Sequence, residues 1–421
     1  MDEHPQHAPH PPHPTPHTPP PLMTSELGSF ARATIVERKP EIIRRVVVDN
    51  PYPPEIVAAL EAFCDEIAHG VIAPLHEDAP DVGFWNAHQA QHAGKTWLDV
   101  PWYFAETYFY RRLLEAARYF QPGVWQGVDP FAPQKREQEA TAVAQLTTVW
   151  AAIEQLPPDE RFVLLLHSAL WGNRADLSNF TVTESAHRGL EAHAERDNLL
   201  IDDTEAVLAS FCQRIERILT DEKEKSVSSV EEVAFINDNV GADSLFDLAL
   251  ADFLLTQGWA RRVIFYLKNQ PFFVSDAMPE DIQLVIQQLQ NIQEPPVAAL
   301  GNRLYHSLIT NHLLLITDPF WTSCLSFWEL PPVLRDDLTR ADLRILKGDV
   351  NYRRLLDDRH WPHTTPITAA DAGFPRPYLI LRTLKGEIMV HLQPGQTETL
   401  AHQDSTWLIN GKRGIVQLIK D

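Results

Sequence analysis

Two oxygen-bearing side chains follow a short apolar run near the middle of the chain. Val233–Ile236 is apolar throughout, and Asp238 and Asn239 come after it, just before Gly241. The run is bounded by turn residues, which predicts a buried strand, and the apolar segment from residue 243 onward predicts a buried helix. A carboxylate and a carboxamide are ligands that Mg²⁺ or Mn²⁺ accepts, and the start of the helix would favour an anion such as phosphate. The alternative is that both side chains only make turn and cap hydrogen bonds.

Further polar side chains follow other apolar runs, and several of them are cationic. They are Asp276, Lys347, Asp349, Asn351, Arg382 and Lys385. The carboxyl ends of parallel strands lie along one edge of a sheet, so these groups could converge with Asp238. Such a convergence is what metal-assisted phosphoryl chemistry requires, because a metal polarises one phosphoryl oxygen while Lys or Arg neutralises the others. Taken alone, a short motif such as KGD or RTLK is more simply interpreted as a turn with a surface cation.

The sequence lacks the motifs of several common enzyme sites. It contains no glycine-rich Walker loop and no GxGxxG, HExxH, GxSxG or CxxC motif. Dinucleotide binding and P-loop phosphate binding therefore lose their main support.

The composition is that of an acidic globular protein. The 421 residues are 44% hydrophobic and 22% charged, and the formal net charge is −21. This charge argues against nucleic acid and against an anionic membrane surface as partners. We expect the partner to be a small phosphorylated metabolite, which a local positive site or a metal would have to hold. The sequence does not indicate an oligomeric state.

Cysteine usage and the absence of targeting signals predict a cytoplasmic protein. Cys64, Cys212 and Cys324 are widely spaced in apolar surroundings, which favours buried free thiols. No run of 18 or more apolar residues occurs, so no transmembrane helix is predicted. The N-terminus has neither the basic nor the apolar region of a secretory signal.

We predict three parts in the chain. Residues 1–23 form a histidine- and proline-rich tail that we expect to be disordered. Residues 24–230 are expected to form a helical domain, because the pattern from Ser29 to about Phe211 is helical. In residues 231–421 strands alternate with helices, which predicts an α/β domain with a mostly parallel, doubly wound sheet. The predicted strands are Val233–Ile236, Arg262–Leu267, His312–Ile316, Asp342–Leu346, Tyr378–Leu381 and Gly414–Ile419.

One aromatic-rich helix of the N-terminal part carries polar side chains with two possible roles. The helix is predicted over Pro101–Phe120. The side chains in question are those of Tyr103, Glu106, Tyr110, Arg111 and Arg112. They could form a wall of the substrate cleft, or they could be core aromatics accompanied by solvated arginines. We favour the second interpretation, because aromatic residues at helical spacing usually pack into a core.

Six segments, in order along the chain, resemble one known family. They are WGNRADLS (Trp171–Ser178), INDNVGADSLFDLALADFLL (Ile236–Leu255), FVSD (Phe273–Asp276), KGDVNYRRL (Lys347–Leu355), RTLK (Arg382–Lys385) and LQPGQ (Leu392–Gln396). Together they resemble the damage-control phosphatase family, formerly known as domain of unknown function 89. The RTLK segment resembles the form of this motif in the family's third subfamily. The members of that subfamily are sugar-phosphate phosphatases that are also described as acidic-residue carboxyl methyltransferases. The resemblance extends from about Ser29 to the C-terminus.

The resemblance implies a fold, an activity and a set of site residues. The fold would be a helical N-terminal domain packed on an α/β/α domain. The activity would be that of a Mn²⁺-, Co²⁺-, Ni²⁺- or Mg²⁺-dependent phosphatase acting on sugar phosphates such as fructose 1-phosphate. Asp238, Asn239 and Asp276 would bind the metal. The Lys347–Asn351 loop and Lys385 would hold the substrate phosphate. The family usually has Glu where this chain has Asp243, a position proposed to contact a methyl donor.

The combined interpretation is a metal-dependent phosphomonoesterase. Asp238 would be a metal ligand and the nucleophile or base, and Asp349 a second candidate for general acid–base catalysis. The predicted substrate-binding residues are Asp238, Asn239, Lys347, Gly348, Asp349, Val350, Asn351, Arg382 and Lys385. One alternative is a protein carboxyl methyltransferase using S-adenosylmethionine, although the usual glycine-rich loop is missing. The other alternative is a protein that binds a phosphorylated ligand without turnover.

Overall fold

Seven strands form a single sheet within the described part of the chain. The computed structural model describes residues 18–172, 196–211 and 230–420. The strands are β1 Leu199–Asp202, β2 Val230–Ile236, β3 Ala260–Leu267, β4 Leu313–Thr317, β5 Leu343–Lys347, β6 Tyr378–Thr383 and β7 Gly414–Ile419. Their order across the sheet is β1-β7-β6-β5-β2-β3-β4. All neighbouring strands are parallel except β6 and β7, which are antiparallel.

The central strands are apolar on both faces, which explains why helices must cover both. Val233 and Phe235 of β2 belong to one buried cluster, and Ala234 and Ile236 belong to another. Successive side chains of a strand point to opposite faces, so each cluster lies on one side of the sheet. A parallel sheet buried on both faces is stable only between two layers of helices and loops.

Helices supply both layers. They are α1 Phe30–Ala33, α2 Lys39–Asp49, α3 Pro54–His69, α4 Val82–Ala90, α5 Trp102–Ala116, α6 Ala132–Glu154, α7 Pro158–Trp171, α8 Ala242–Thr256, α9 Pro279–Gln290, α10 Pro295–Ile309, α11 Pro332–Arg340, α12 Gly348–Leu355 and α13 Gln396–Gln403. Helices α6 to α10 pack on the face of Val233, and α11 and α12 pack on the face of Ile236. The predicted α/β fold is therefore confirmed.

A third apolar cluster lies in the N-terminal part. It joins α2, α3, α4 and α5 and includes Phe272 from the segment after β3. A turn of π-helix, Thr34–Arg38, connects α1 to α2. This cluster agrees with a helical N-terminal region, while the division of the chain at residue 230 stays a prediction.

Two local predictions differ from the structure. Strand β1 lies in the range that we expected to be helical, and it pairs with β7. The last residues of the predicted disordered tail are ordered. Leu22 is buried, its N–H donates to the carbonyl of Asp358 at 3.0 Å, and its carbonyl accepts from the N–H of Trp102 at 2.8 Å. These backbone bonds satisfy the segment, and residues 1–17 lie outside the described part of the chain.

Other sequence-based expectations concern thiols and membranes. Cys64 and Cys324 are free thiols, and Cys212 lies outside the described residues. Among the residues that the structure describes, no helix is both long enough and apolar enough to cross a membrane.

Gly301 allows α9 and α10 to pack closely, and its replacement by alanine should destabilise the protein. A Cβ at this position would lie 2.5 Å from the backbone nitrogen of Gln290. We expect Gly301→Ala to lower the free energy of unfolding by about 1 to 3 kcal/mol, the usual cost of overpacking. Gly83 in α4 has open space around its missing Cβ, so Gly83→Ala is the matched control and should be neutral or stabilising. Urea denaturation of both variants measures the difference, and equal effects would contradict this account of the helix contact.

Candidate functional site

The carboxyl ends of β2 and β5 meet where the strand order reverses. The chain leaves β2 for β3 and β4 on one side and returns through β5 on the other. Open α/β sheets bind their ligands in the crevice at such a point. A cavity of about 190 Å³ lies there. The predicted site residues that line it are Asp238, Asn239, Asp243, Asp276, Lys347, Gly348, Asp349, Val350 and Lys385.

Gly348 lets the end of β5 approach Asp238 closely. Its φ is +80°, a conformation that glycine adopts readily. A Cβ atom here would lie 1.9 Å from Oδ2 of Asp238, so another residue would displace the carboxylate. Helix α12 begins at Gly348, and its first three residues line the cavity. The free N–H groups and the positive dipole end of α12 therefore border the site.

The side chains of Asp238, Asn239 and Asp243 form one hydrogen-bonded group. Nδ2 of Asn239 donates to Oδ2 of Asp238 at 2.7 Å and to Oδ2 of Asp243 at 3.0 Å. Ser275 Oγ donates to Oδ1 of Asn239 at 2.6 Å. The amide thus separates two carboxylates that would otherwise repel each other. If the side-chain amide group of Asn239 rotated by half a turn, its oxygen instead of its nitrogen would face the carboxylates. A bound cation would favour this orientation, because it is held by oxygens.

Asp276 reaches the site through a loop rather than directly from a strand end. Strand β3 ends nine residues earlier, and the loop then runs back beside the connection between β2 and α8. Asn239 and Asp276 form an antiparallel backbone bridge. The N–H of Ala277 donates to the carbonyl of Asp238 at 2.9 Å. Backbone pairing therefore fixes Asp276 next to the residues that follow β2.

Lys268 is a site residue that sequence analysis missed. Its Nζ lies 3.0 Å from Oδ2 of Asp276 and donates to the carbonyl of Asn237 at 3.2 Å. Both members of this ion pair are buried. Lys268 directly follows β3, so its position at a strand end was the signal that could have identified it.

Burial controls the charge of the two candidate metal-binding aspartates. Burial raises the pKa of Asp238 well above its usual range, and the charges of Asp276 and Asp243 raise it further against Lys268 and Lys385. Burial also raises the pKa of Asp276, which Lys268 opposes. Ionising either carboxyl in this site is therefore costly, and a bound cation would stabilise the ionised forms.

The donor set suits a hard divalent cation. Asp238, Asn239 and Asp276 line one cavity and carry side-chain oxygens, the ligand type that Mn²⁺ and Mg²⁺ prefer. In the described ranges, no group of three or more His, Cys, Asp or Glu side chains is arranged to hold a metal ion. The predicted set differs from such a group because one of its members is an asparagine. The chemistry of these residues fits a cation, and metal binding stays a prediction.

Partners on two helices hold the ammonium of Lys347. Its Nζ lies 2.6 Å from Oδ1 of Asp247 in α8 and also contacts the carbonyl oxygen of Ala169 in α7. Nδ2 of Asn237 donates to the other oxygen of Asp247 at 3.1 Å. A lysine ammonium has three donors, so one of them is left for the cavity that Lys347 lines. Asp247 was missed by sequence analysis, although a carboxylate within so apolar a helix was a usable signal.

Asp349 is held between two buried guanidinium groups. Its Oδ1 lies 2.6 Å from a terminal nitrogen of Arg382, and its Oδ2 accepts from Nε of Arg353 at 2.8 Å. Burial raises the pKa of Asp349, but these two cations outweigh burial and hold the pKa below its usual range. Such a carboxylate is a weak base and no acid at neutral pH, so its chemistry does not favour general acid–base catalysis.

The N-terminal helices and the turns that follow α1 supply another wall of the cavity. The lining residues from this part are Phe30, Arg38, Trp102, Glu106 and Tyr110. Glu106 and Tyr110 are buried and line the cavity, so the interpretation as a cleft wall holds for these two. Sequence analysis did not select Arg38 as a site residue.

The two arginines of α5 are not solvated, contrary to our expectation. Arg111 is fully buried and lies 2.7 Å from carboxylate oxygens of both Glu77 and Asp81. Arg112 is mostly buried and lies 2.6 Å from Glu66. The carboxylates of neighbouring segments neutralise these charges within the N-terminal part, which a helical pattern alone does not reveal.

Comparison with known proteins identifies the family. The model described as "Damage-control phosphatase ARMT1-like domain" matches residues 34–400. Damage-control phosphatase ARMT1 of Danio rerio is 30% identical over 441 residues, which cover 95% of this chain and 97% of that protein. The chain belongs to the damage-control phosphatase family. The same-named protein of Homo sapiens is 30% identical over 456 residues, with 95% and 98% of the two chains covered.

The match to the damage-control phosphatases includes nearly the whole cavity. Every lining residue except Phe30 falls within residues 34–400. The chain is also similar to a solved structure of a DUF89 family protein from Pyrococcus horikoshii, with 16% identity and a TM-score of 0.46. The match covers 93% of this chain and 98% of the other. The family indicates a phosphatase role in metabolite repair, while the assignment to the third subfamily stays a prediction. Residues 173–178 of the WGNRADLS segment lie outside the described residues.

Two of the predicted substrate contacts do not line the cavity of this damage-control phosphatase. Arg382 is fully buried and directed at Asp349. Nδ2 of Asn351 donates to the carbonyls of Lys347 at 2.8 Å and of Ile236 at 3.1 Å. Arg382 thus orients Asp349, and Asn351 ties the ends of β2 and β5 together. Direct contact of either side chain with a substrate stays a prediction.

Proposed function

We propose that this damage-control phosphatase is a divalent-metal-dependent phosphomonoesterase that acts on small sugar phosphates such as fructose 1-phosphate. One observation carries the proposal. The oxygen donors of Asp238, Asn239 and Asp276 share a single cavity with the ammonium groups of Lys347 and Lys385. This combination suits a phosphate ester, because a metal site and separate cations divide the phosphate oxygens between them.

Each group has a distinct part in the proposed reaction. A Mn²⁺, Co²⁺, Ni²⁺ or Mg²⁺ ion held by Asp238, Asn239 and Asp276 would polarise a phosphoryl oxygen. Lys347, Lys385 and the N–H groups at the start of α12 stabilise the remaining negative charge. Asp238 is the nucleophile or the general base, and the geometry leaves both routes open.

The size of the cavity and the charge of the protein limit the substrate. The cavity of about 190 Å³ is smaller than the roughly 300 to 1,000 Å³ of pockets for drug-sized ligands, so a small metabolite fits it. The net charge of −21 repels anions in general, which means that the local cations have to select the phosphate. A small phosphorylated metabolite in the cytoplasm is therefore the partner we propose, and no observation specifically favours methyl transfer at Asp243.

Phosphate release from a panel of sugar phosphates tests the proposal. Protein stripped with a chelator should be inactive, and adding Mn²⁺, Co²⁺, Ni²⁺ or Mg²⁺ should restore release. Asp238→Asn should abolish the restored activity while leaving the thermal unfolding curve of the metal-free protein close to that of the wild type. Asp336, an exposed carboxylate in α11, provides the control Asp336→Asn. Absence of release with every metal would contradict the proposal and turn attention to binding or methyl transfer.

Lys385 allows a test that separates catalysis from stability. It is exposed, it lines the cavity, and no ion pair to it occurs among the described residues. Lys385→Met should therefore lower kcat/KM by about 10²- to 10³-fold, the range found when one charge-stabilising donor is removed, without changing the unfolding midpoint. Lys95→Met, at an exposed position in the N-terminal part, is the matched control. Full activity of Lys385→Met would remove Lys385 from the proposed site.

A further inference from the structure

The cavity wall from α5 contains a buried acceptor without a hydrogen-bond donor in the described part of the chain. Glu106 is 3% exposed and lines the cavity. Its Oε1 lies 2.6 Å from Nζ of Lys39. Its Oε2 is buried and has no hydrogen-bond partner among the described residues. Buried polar atoms without partners are rare and costly, so a carboxylate oxygen in this position suits a donor from a bound ligand.

Lys39 fixes the orientation of Glu106. The ammonium of Lys39 is fully buried and lies 4.5 Å from the ring centroids of both Phe109 and Tyr110. Burial lowers the pKa of Lys39 to about 8, against the opposing charge of Glu106. Because a buried cation engages Oε1, the orientation of the carboxylate and hence the position of Oε2 are restricted. A positioned acceptor of this kind can discriminate between ligands.

Tyr110 connects this wall with the aspartates at the sheet edge. Burial raises the pKa of Tyr110 well above its usual range, the charges of Glu106 and Asp276 raise it further, and Arg38 opposes them. Tyr110, Glu106 and Asp276 all line the same cavity. A small molecule with its phosphate near Asp276 could therefore extend its other end toward Glu106 within the same cavity.

We propose that Glu106 is a specificity-determining residue, whose Oε2 accepts a hydrogen bond from a hydroxyl group on the carbon chain of the phosphate ester. The proposal rests on the proposed phosphatase function. It adds that the enzyme recognises a hydroxyl group of the substrate as well as the phosphate. The favoured substrates are polyhydroxylated phosphomonoesters, and esters without a hydroxyl at that position are disfavoured. An O–H donor to a carboxylate forms a strong, short hydrogen bond, and a site built for it is left with a buried oxygen that has no donor when the hydroxyl is missing.

Kinetics with two esters test the role of Glu106. The wild type and Glu106→Gln are compared with fructose 1-phosphate and with p-nitrophenyl phosphate, which has no aliphatic hydroxyl, under the same metal conditions. We expect Glu106→Gln to lower kcat/KM for fructose 1-phosphate by about 10- to 100-fold, which corresponds to one hydrogen bond to a charged group. Its kcat/KM for p-nitrophenyl phosphate should change by less than about twofold, because that ester makes no such bond.

Each other outcome has one meaning. An equal loss on both esters, or no loss on the sugar phosphate, overturns the role of Glu106 while leaving the phosphatase function in place. No turnover of either ester by the wild type means that the proposed phosphatase function itself is wrong, and the assignment of Glu106 is withdrawn with it. If Glu106→Gln does not fold, the double variant Lys39→Met, Glu106→Gln takes its place, because it removes both charges of the buried pair. The ratio of kcat/KM for fructose 1-phosphate to kcat/KM for p-nitrophenyl phosphate is then compared with that of the wild type.

Discussion

Replacement of Asp349 by asparagine should lower the free energy of unfolding by about 3 to 5 kcal/mol. This is the usual cost of removing one partner from a buried ion pair, because the charge that stays behind is left without compensation. The guanidinium groups of Arg353 and Arg382 are both fully buried, and both contact Asp349. Arg353 keeps a second carboxylate in Asp358, so most of the penalty falls on Arg382. Urea denaturation in the absence of any ligand measures the effect.

A surface ion pair provides the control for Asp349. Arg340 and Asp337 lie 2.8 Å apart, with side chains that are 72% and 43% exposed, so Asp337→Asn should change stability by less than about 1 kcal/mol. The pKa of Asp349 is held low in the folded state, so its contribution is present above about pH 4 and is lost as the pH falls further. Burial raises the pKa of Asp358 to about 6, Arg353 opposes this rise, and the charge of Asp349 adds to it. The difference between wild type and Asp349→Asn should therefore be compared at pH 7 and pH 8, above the pKa values of both carboxyls, where it should be the same. A cost below about 1 kcal/mol at pH 7 would show that the two arginines do not depend on Asp349.

The strands could be predicted where the sequence contains an apolar run long enough to form a buried strand. Six of the seven described strands correspond to such runs, and their polar flanks marked the ends. Leu199–Asp202 has only four residues and lies at the edge of the sheet, where β7 is its one partner among the described strands. A short edge strand needs no long apolar pattern, because only one side of it is hydrogen-bonded and its faces are partly exposed. Its place in the sheet depends on a pairing across more than 200 residues, which local periodicity does not contain.

The site residues that follow the ends of parallel strands could be predicted from the sequence. Asp238 and Lys347 lie at the ends of the two central strands, where open α/β sheets bind their ligands. Glu106 comes from a different layer of the protein, and its position depends on how α5 packs against the α/β part. Its partner Lys39 is 67 residues away in the sequence, so no short motif links the two.

Charge alone did not distinguish a ligand-binding cation from a structural one. Lys385 and Arg382 belong to the same RTLK segment, yet Lys385 lines the cavity and Arg382 is buried against Asp349. Side chains at alternating positions of a strand and its extension point in different directions, and the depth of each depends on what packs there. A sequence shows which residues carry charge, whereas the carboxylate that compensates each buried charge becomes visible only in the folded structure.

Replacement of Lys347 by methionine should destabilise the protein by about 3 to 5 kcal/mol at pH 8. The ammonium of Lys347 is the cation that compensates Asp247, and both side chains are almost completely buried. The same variant should lose phosphatase activity, because Lys347 also lines the cavity. Loss of activity alone would not separate the two roles. The dependence of stability on pH does so.

In the wild type, burial raises the pKa of Asp247 to about 6, although Lys347 opposes this rise. The pKa of Asp247 is higher in the folded state than in the unfolded state, so its proton stabilises the folded state at low pH. This contribution to the free energy of unfolding is lost as the pH rises through 6, and little further change is expected above pH 7. Without Lys347, which lowers the pKa of Asp247, that pKa should rise further, and the folded state should then hold a proton that the unfolded chain releases. The cost of Lys347→Met should therefore grow by about 1.4 kcal/mol for each pH unit between 7 and 8. Lys347→Met combined with Asp247→Asn contains no group that could bind this proton, so its cost should not change with pH. Urea denaturation at the two pH values compares the variants, and a pH-independent cost for Lys347→Met would mean that Lys347 does not carry the countercharge of Asp247.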